Sequence, residues 1–303
     1  MTDEPVPIEP KAEPGLAANV RGALWMLASA VTFTVMTTLI KFLGDDYSAV
    51  LQTFYRQTAG LLVLAPWIAR DWRGAFRTTG PGILLFRSAA GTLAFILAFY
   101  AYQTMPLAEA NALSFTRSLW LVPLAFFVLH EKLGPRRIGA TVVGFAGVLI
   151  MLRPGVGGAA LGWPALAALA SAFLLALTIT GMKVMVRDHR PFVLLVYSAV
   201  LGFIFALPGA LIDWRWPSPV DLGLLAAMGV MGTITQGCYI KGMQIGDAAA
   251  MAPIDYTRLV FAALAGFVLF SEVPGVWTIV GAGIVVASTL YITWREQRAR
   301  PRH

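Results

Sequence analysis

Ten stretches of mostly apolar residues follow one another along this chain, joined by short polar connections. They run at 22–43, 49–69, 80–104, 107–129, 135–152, 162–182, 190–210, 220–240, 247–270 and 275–293. A helix needs about 20 such residues to cross the hydrocarbon core of a bilayer. Backbone groups find no water there, so only helices or a closed barrel can span it. These segments are continuously apolar, whereas barrel strands alternate. Composition agrees, with 58% hydrophobic and 13% charged residues, against about 25% charged in soluble domains. The connections, such as Gly44-Asp45-Asp46 and Glu131-Lys132-Leu133-Gly134-Pro135, are too short to hold a soluble domain. The expectation is an all-α integral membrane protein with ten transmembrane helices.

The net charge of +7 is spread in short basic clusters between the apolar segments. That pattern reads as a cytoplasmic membrane face, not a nucleic-acid surface. With the N-terminus inside, the inner stretches carry sixteen Lys and Arg residues, whereas the outer loops carry only Lys41, Arg153 and Arg215. Both termini are therefore expected in the cytoplasm, which requires an even number of spans. Residues 1–20 read as a disordered, Pro-rich cytoplasmic tail and not as a signal peptide. Residues 295–303 read as a basic cytoplasmic tail.

The chain also repeats itself. Thr116-Arg117 matches Thr257-Arg258 and Glu131 matches Glu272, both at an offset of 141, and Glu109 matches Asp247 after a three-residue slip. Each acidic residue is followed by a Gly-rich apolar helix. The halves, 21–153 and 154–294, each hold five expected spans. An odd number of spans per half makes the halves face opposite ways, which is the inverted repeat common among secondary transporters.

The segment from Ala112 and Pro123 through His130-Glu131-Lys132-Leu133 to Gly139-Ala140 and Gly147 shows a proline, an acidic residue at a helix end and a Gly-rich helix, in that order. Arg56 precedes an apolar run in the second span. In these features the sequence resembles the drug/metabolite transporter superfamily, in its EamA-type branch. His130 and Ser271 depart from the glycine usual before the acidic residue. The resemblance implies paired five-helix repeats in a bacterial inner membrane. It also implies movement of amino acids, purines, sugars and other small metabolites, mostly out of the cell. The branch nearest in appearance exports amino acids, including aromatic ones.

Charges deep in a bilayer are costly and face a cavity or a partner. Arg117 and Arg258 lie at the centres of equivalent spans. Either they line a central cavity and bind a substrate carboxylate, or they tie to nearby acids and carbonyls or snorkel to water. Asp255, three residues before Arg258, shares its helical face and can neutralise it. Arg117 has no acid so placed; Asn111 and Ser114 are its neighbours in sequence, which ranks it above Arg258. Glu109 and Asp255 are candidate proton or cation carriers, or else permanently paired carboxylates. Arg56 and Arg87 are expected nearer the cytoplasmic ends of their helices, as anchors or as cavity lining. Glu131 and Glu272 end their helices at opposite faces, where they form end-of-helix hydrogen bonds or gate contacts. Tyr100, Tyr102, Gln103, Gln236, Tyr239 and Tyr256 are candidates to shape a substrate site, and Trp163 either joins them or sits at the interface. Pro123 and Pro253 can bend their helices, as moving elements or as static kinks.

Other function classes fit poorly. Cys238 is the only cysteine, so no intramolecular disulfide forms. His130, His189 and His303 are not at metal-ligand spacing, and no GxxxxGK[ST] phosphate loop occurs. No metal, cofactor or catalytic cluster is expected, and the chain is not read as an enzyme. The expected partners are a small solute, most readily an amino acid, and the lipid bilayer, with a single chain as the working unit. The expected mechanism is alternating access between the halves.

Overall fold

The computed structural model describes residues 16–76, 78, 81–130, 134–153, 162–185, 191–246 and 248–299. All regular structure among them is helical. The first half holds α1 (Leu16–Phe42), α2 (Ala49–Arg70), the short α3 (Trp72–Ala75), α4 (Pro81–Thr104), α5 (Leu107–Ser114), α6 (Arg117–Leu129) and α7 (Pro135–Leu152). The second holds α8 (Trp163–Met185), α9 (Pro191–Ile212), α10 (Pro219–Ile245), α11 (Ala248–Asp255), α12 (Thr257–Phe270) and α13 (Val276–Ala299).

Local chemistry explains the helix ends. The Ser48 hydroxyl accepts from the Leu51 N–H at the start of α2, and the Ser218 hydroxyl accepts from the Asp221 N–H at the start of α10. Pro135 and Pro219 open α7 and α10, where their missing N–H costs nothing. α6 and α12 end on His130 and Ser271 in the left-handed conformation, at φ 52° and 55°. Glycine is favoured at such C-caps, so the two departures from the glycine pattern fall where a side chain is strained.

Among the described residues, eight of the ten expected segments are long and apolar enough to cross a membrane. The remaining two are α2 and α9. Gln52, Arg56 and Gln57 dilute the apolar character of α2, and in α9, a 22-residue apolar helix, the stretch that lies wholly within the fully described residues is Val196–Ile212. Helix α1 begins at Leu16, inside the stretch expected as tail, because Leu16-Ala17-Ala18 contains no helix breaker.

The outer surface is hydrophobic. Leu62, Phe127, Val142, Ile212 and Val260 are all more than 60% exposed, as suits side chains facing lipid. The interior is built from small residues and Leu, with Leu107, Leu113, Leu119, Ala112, Ala206 and Ala262 at the centre. Where α7 meets α13 the backbones touch: a Cβ on Gly281 would lie 2.5 Å from the Gly147 carbonyl oxygen. Such contacts are the small-residue interfaces of membrane helices.

Matched in chain order, α1, α2, α4, α5–α6 and α7 correspond to α8, α9, α10, α11–α12 and α13. The helix contacts obey that exchange. α1 on α10 is answered by α8 on α4, α2 on α10 by α9 on α4, and α1 on α12 by α8 on α6. The pairs α7–α13 and α2–α9 join counterparts directly, whereas α5 on α12 has no comparable answer from α11 on α6 among the described residues. The symmetry breaks again at α4. α4 also packs on α1 and α2, but among the described residues α10 makes no comparable contact with α8 or α9.

Candidate functional site

The two central arginines sit at helix interruptions. α5 gives way to α6 at Phe115 and Thr116, where Thr116 N–H bonds the Leu113 carbonyl at 3.0 Å and Ser118 N–H bonds that of Phe115 at 3.0 Å. α11 gives way to α12 at Tyr256, whose carbonyl accepts from Leu259 N–H at 3.0 Å. These are tight i to i+3 turns, which in mid-helix often mark a hinge. Phe115 and Tyr256 are again 141 apart in sequence, and their rings lie 4.6 Å apart between centroids. The pseudo-twofold axis therefore passes between them, and Arg117 and Arg258 stand on either side. The interruptions fall at neither expected proline: Pro123 lies within α6 and Pro253 within α11.

The two arginines differ in their surroundings. Arg258 is buried, and its Nε is 2.9 Å from Asp255 Oδ1. Its Nη2 donates to Ser29 Oγ at 3.1 Å, and its guanidinium lies 4.6 Å from the Phe33 ring and 5.6 Å from that of Tyr239. Arg117 is half-buried and has no hydrogen-bond acceptor or acidic partner among the described residues. The repeat supplies the reason: Ser114 stands 141 residues before Asp255, so the carboxylate that holds Arg258 is a hydroxyl beside Arg117. That hydroxyl donates to the Asn111 carbonyl at 2.7 Å. Arg117 also opens half-helix α6, whose dipole favours an anion at the same point. Its charge acts on Tyr102, Tyr256 and Arg258. The Tyr102 ring meets Phe33 edge-on at 6.2 Å, and the Tyr256 hydroxyl bonds Thr289. The result is an aromatic chamber with, among the described residues, one unpaired cation and one ion pair.

Other expected residues are placed elsewhere. Asn111 is buried, and its Nδ2 donates to the Leu107 carbonyl at 3.2 Å, within its own helix. Tyr100 is 37% exposed and lies outside the chamber, whereas Tyr102, on another face of the same helix, is buried. Trp163, at the start of α8, is 79% exposed and stays apart from both polar groups. Gln103 donates to the Tyr47 carbonyl at 3.2 Å, near the end of α4. Glu109 accepts from Thr278 Oγ1 at 2.9 Å. Glu131 lies outside the described residues.

Glu272 ties the halves together. It forms an ion pair with Lys41 at the end of α1 and accepts from Leu107 N–H at 2.8 Å at the start of α5. Lys41 also donates to the Met105 carbonyl at 2.6 Å. Lys41 escaped the sequence reading because it was counted only as one of three outer basic residues; its place opposite the end of α12 is a matter of tertiary structure.

A cavity of about 360 Å³ opens where α10 stands off α8 and α9. Its walls come from α2, α4, α8, α9 and α10. Its polar lining is Arg56, Arg87, Gln57, Ser88, Ser198 and Gln236 with Thr92, Thr178 and Thr233. Arg56 stacks on Phe95, with its guanidinium carbon 3.9 Å from the ring centroid. Arg87 donates to Ser198 Oγ at 2.6 Å. Arg56 lies near the start of α2 and Arg87 near the start of α4; successive spans run in opposite directions, so the two do not both lie nearer the cytoplasmic end as expected. Adjacent faces of α10 serve both groups, with Gly232 and Gln236 at the cavity and Tyr239 at Arg258. A larger groove of about 440 Å³ along α2 is lined by Leu61, Leu62, Ile68 and Trp72 and, apart from Thr58, has no polar side chain. It is an apolar surface groove without chemistry.

A multi-pass helical fold with exchange-related helix pairs and paired central interruptions is a transporter architecture. The profile of the EamA-like transporter family matches residues 20–153 and again residues 162–294. The chain belongs to the EamA-like transporter family. It is a secondary transporter of small solutes, and members of this family are transporters, not enzymes. An S-adenosylmethionine uptake transporter of Rickettsia prowazekii is 30% identical over 94% of this chain and 96% of its own length. A riboflavin transporter of Rhizobium johnstonii is 28% identical over 92% and 93%. Human solute carrier family 35 member G1 is 29% identical over 93% of this chain and 81% of its own. A solved crystal structure shares the fold with a TM-score of 0.59 at 19% identity, covering 95% of this chain and 99% of that one. The relatives differ in the solutes their names give, so family membership sets the mechanism class and leaves the solute to the site.

Proposed function

We propose that this chain moves small zwitterions bearing a free α-amino acid group across a bacterial inner membrane. It does so by alternating access between ten spans, with both termini in the cytoplasm. The observation that carries the substrate class is Arg117: a central cation at a half-helix N-terminus, without an acid among the described residues, inside an aromatic chamber. A planar guanidinium suits a carboxylate, and the rings of Phe33, Tyr102, Phe115, Tyr239 and Tyr256 suit an apolar or cationic side group. Amino acids fit this description, and so does S-adenosylmethionine, the solute in the name of the Rickettsia relative. The sequence resemblance points to export of amino acids, while that relative's name says uptake. One site serves either direction, and the gradient decides.

Alternating access is supported by the broken symmetry. The cavity exists because α10 lacks the contacts that its counterpart α4 makes. Exchanging the roles of α4 and α10 closes this cavity and opens its counterpart between α4 and α1–α2. The basic clusters at one set of helix ends support the orientation.

The test is uptake into proteoliposomes of neutral, aromatic, acidic and basic amino acids, S-adenosylmethionine, purines and sugars. Uptake of amino-acid-bearing solutes above empty liposomes, reduced at least tenfold by Arg117→Gln in monodisperse protein, is the expected result. Uptake confined to solutes without the α-amino acid group overturns the substrate class. A second reading, a flat heteroaromatic solute without a carboxylate, is favoured by the aromatic chamber and the riboflavin-transporter relatives. It is decided by the same panel with riboflavin included.

A further inference from the structure

The cavity beside α10 carries a second, separate charge imbalance. Arg56 and Arg87 both line it, and none of its lining residues is Asp or Glu. Neither arginine has an acidic partner among the described residues. Their present partners are neutral: Gln57 Oε1 at 3.3 Å from Arg56 Nη1, and Ser198 Oγ at 2.6 Å from Arg87 Nη1. Arg56 Nε, Arg87 Nε and Ser88 Oγ are buried without a hydrogen-bond partner among the described residues. Two uncompensated cations in a bilayer interior are costly, and helices do not retain them for stability.

The repeat makes this comparison internally. α9 and α10 are the counterparts of α2 and α4, and they contain no arginine. The same helices are thus built in the second half without these charges, so the fold does not require them. The charge has another use, and a cavity of this volume is large enough for a small metabolite. Phe95 covers one face of the Arg56 guanidinium, leaving its edge for planar recognition. We infer that Arg56 and Arg87 form an anion site that takes the carboxylate of a small soluble acid, distinct from the Arg117 chamber.

Two sources of that carboxylate are chemically equivalent: a separate small anion, or the transported zwitterion itself as it passes through the cavity. The experiment uses the full chain in detergent, with succinate as the probe and ionic strength held constant with sodium chloride. The reading is the succinate concentration that gives half the maximal rise in Tm. Saturable stabilisation of the wild type is expected, with the midpoint raised at least tenfold in Arg56→Gln and in Arg87→Gln. Arg117→Gln keeps the wild-type midpoint, which separates this site from the proposed amino-acid site. Should Arg56→Gln not yield monodisperse protein, Arg87→Gln and Arg56→Lys carry the test, the latter keeping the charge but not the planar fork and so raising the midpoint less than tenfold. Methionine that shifts the succinate midpoint competitively assigns the carboxylate to the zwitterion; additive stabilisation assigns it to a separate anion. No succinate effect on the wild type, an unchanged midpoint in Arg87→Gln, or loss of the effect in Arg117→Gln alone overturns the inference.

Discussion

Breaking the Lys41–Glu272 pair should unlatch one end of the transporter. The pair joins α1 of the first half to the end of α12 in the second, over the start of α5. Its side chains are only 14% and 17% exposed, and the ammonium lies 5.3 Å from the Phe270 ring. A fully exposed pair contributes about 0–1 kcal/mol, and stranding one partner of a buried pair costs about 3–5 kcal/mol. This pair lies between those limits, so a coupling of about 2 kcal/mol is expected. At about 1.4 kcal/mol per factor of ten, that is roughly 30-fold in an equilibrium. Glu272→Gln keeps an oxygen for the Leu107 N–H and removes only the charge; Lys41→Met keeps most of the stem. Met105 is buried beside the latch. With Cys238 replaced by Ala and a cysteine placed at 105, labelling by a membrane-impermeant maleimide reports opening of that end. Each single variant should label roughly 30-fold faster than the parent, and the double variant about as fast as either single one. Rates within twofold of the parent for both single variants, or fully additive effects, would refute the latch.

Three further outcomes follow from named contacts. Gly281→Ala sets a Cβ 2.5 Å from the Gly147 carbonyl oxygen and should destabilise by about 1–3 kcal/mol. Gly283→Ala, with nothing within 4 Å, should stay within about 0.5 kcal/mol of wild type, and thermal unfolding in detergent compares the two. Ser271→Gly removes a side chain held at φ 55° and should stabilise by up to about 1 kcal/mol in the same assay. Ser114→Asp gives Arg117 the i−3 carboxylate that Arg258 already has, and should cut amino-acid uptake at least tenfold while the protein remains monodisperse.

The helical segments and the repeat were legible because apolar length and a constant offset are properties of the sequence itself. The Asp255–Arg258 pair was legible for the same reason, since three residues on a helix set a shared face. The interruptions at Phe115–Thr116 and Tyr256 were not, because neither contains a proline or glycine and the turns tighten under tertiary packing. Pro253 drew attention three residues too early. Arg56 and Arg87 were legible as cavity lining, one of their two readings, but their shared cavity was not, because Arg56 meets Phe95 and Ser198 meets Arg87 only when α2, α4 and α9 come together. Tyr100 was over-read and Trp163 falls to its interfacial alternative: aromatic type alone does not distinguish a ring facing lipid from one facing solute.

The claim at the centre is that Arg117 selects the α-carboxylate of a transported zwitterion. The direct measurement is uptake of methionine and of its carboxamide by wild-type and Arg117→Gln proteoliposomes. A charge-assisted hydrogen bond contributes about 1.5–3 kcal/mol, so the wild type should prefer the acid by roughly tenfold or more. Arg117→Gln should lose that preference while still carrying the amide at a comparable rate. An undiminished preference in the variant, or a wild type indifferent to the carboxylate, would contradict the assignment and move the selecting group away from Arg117.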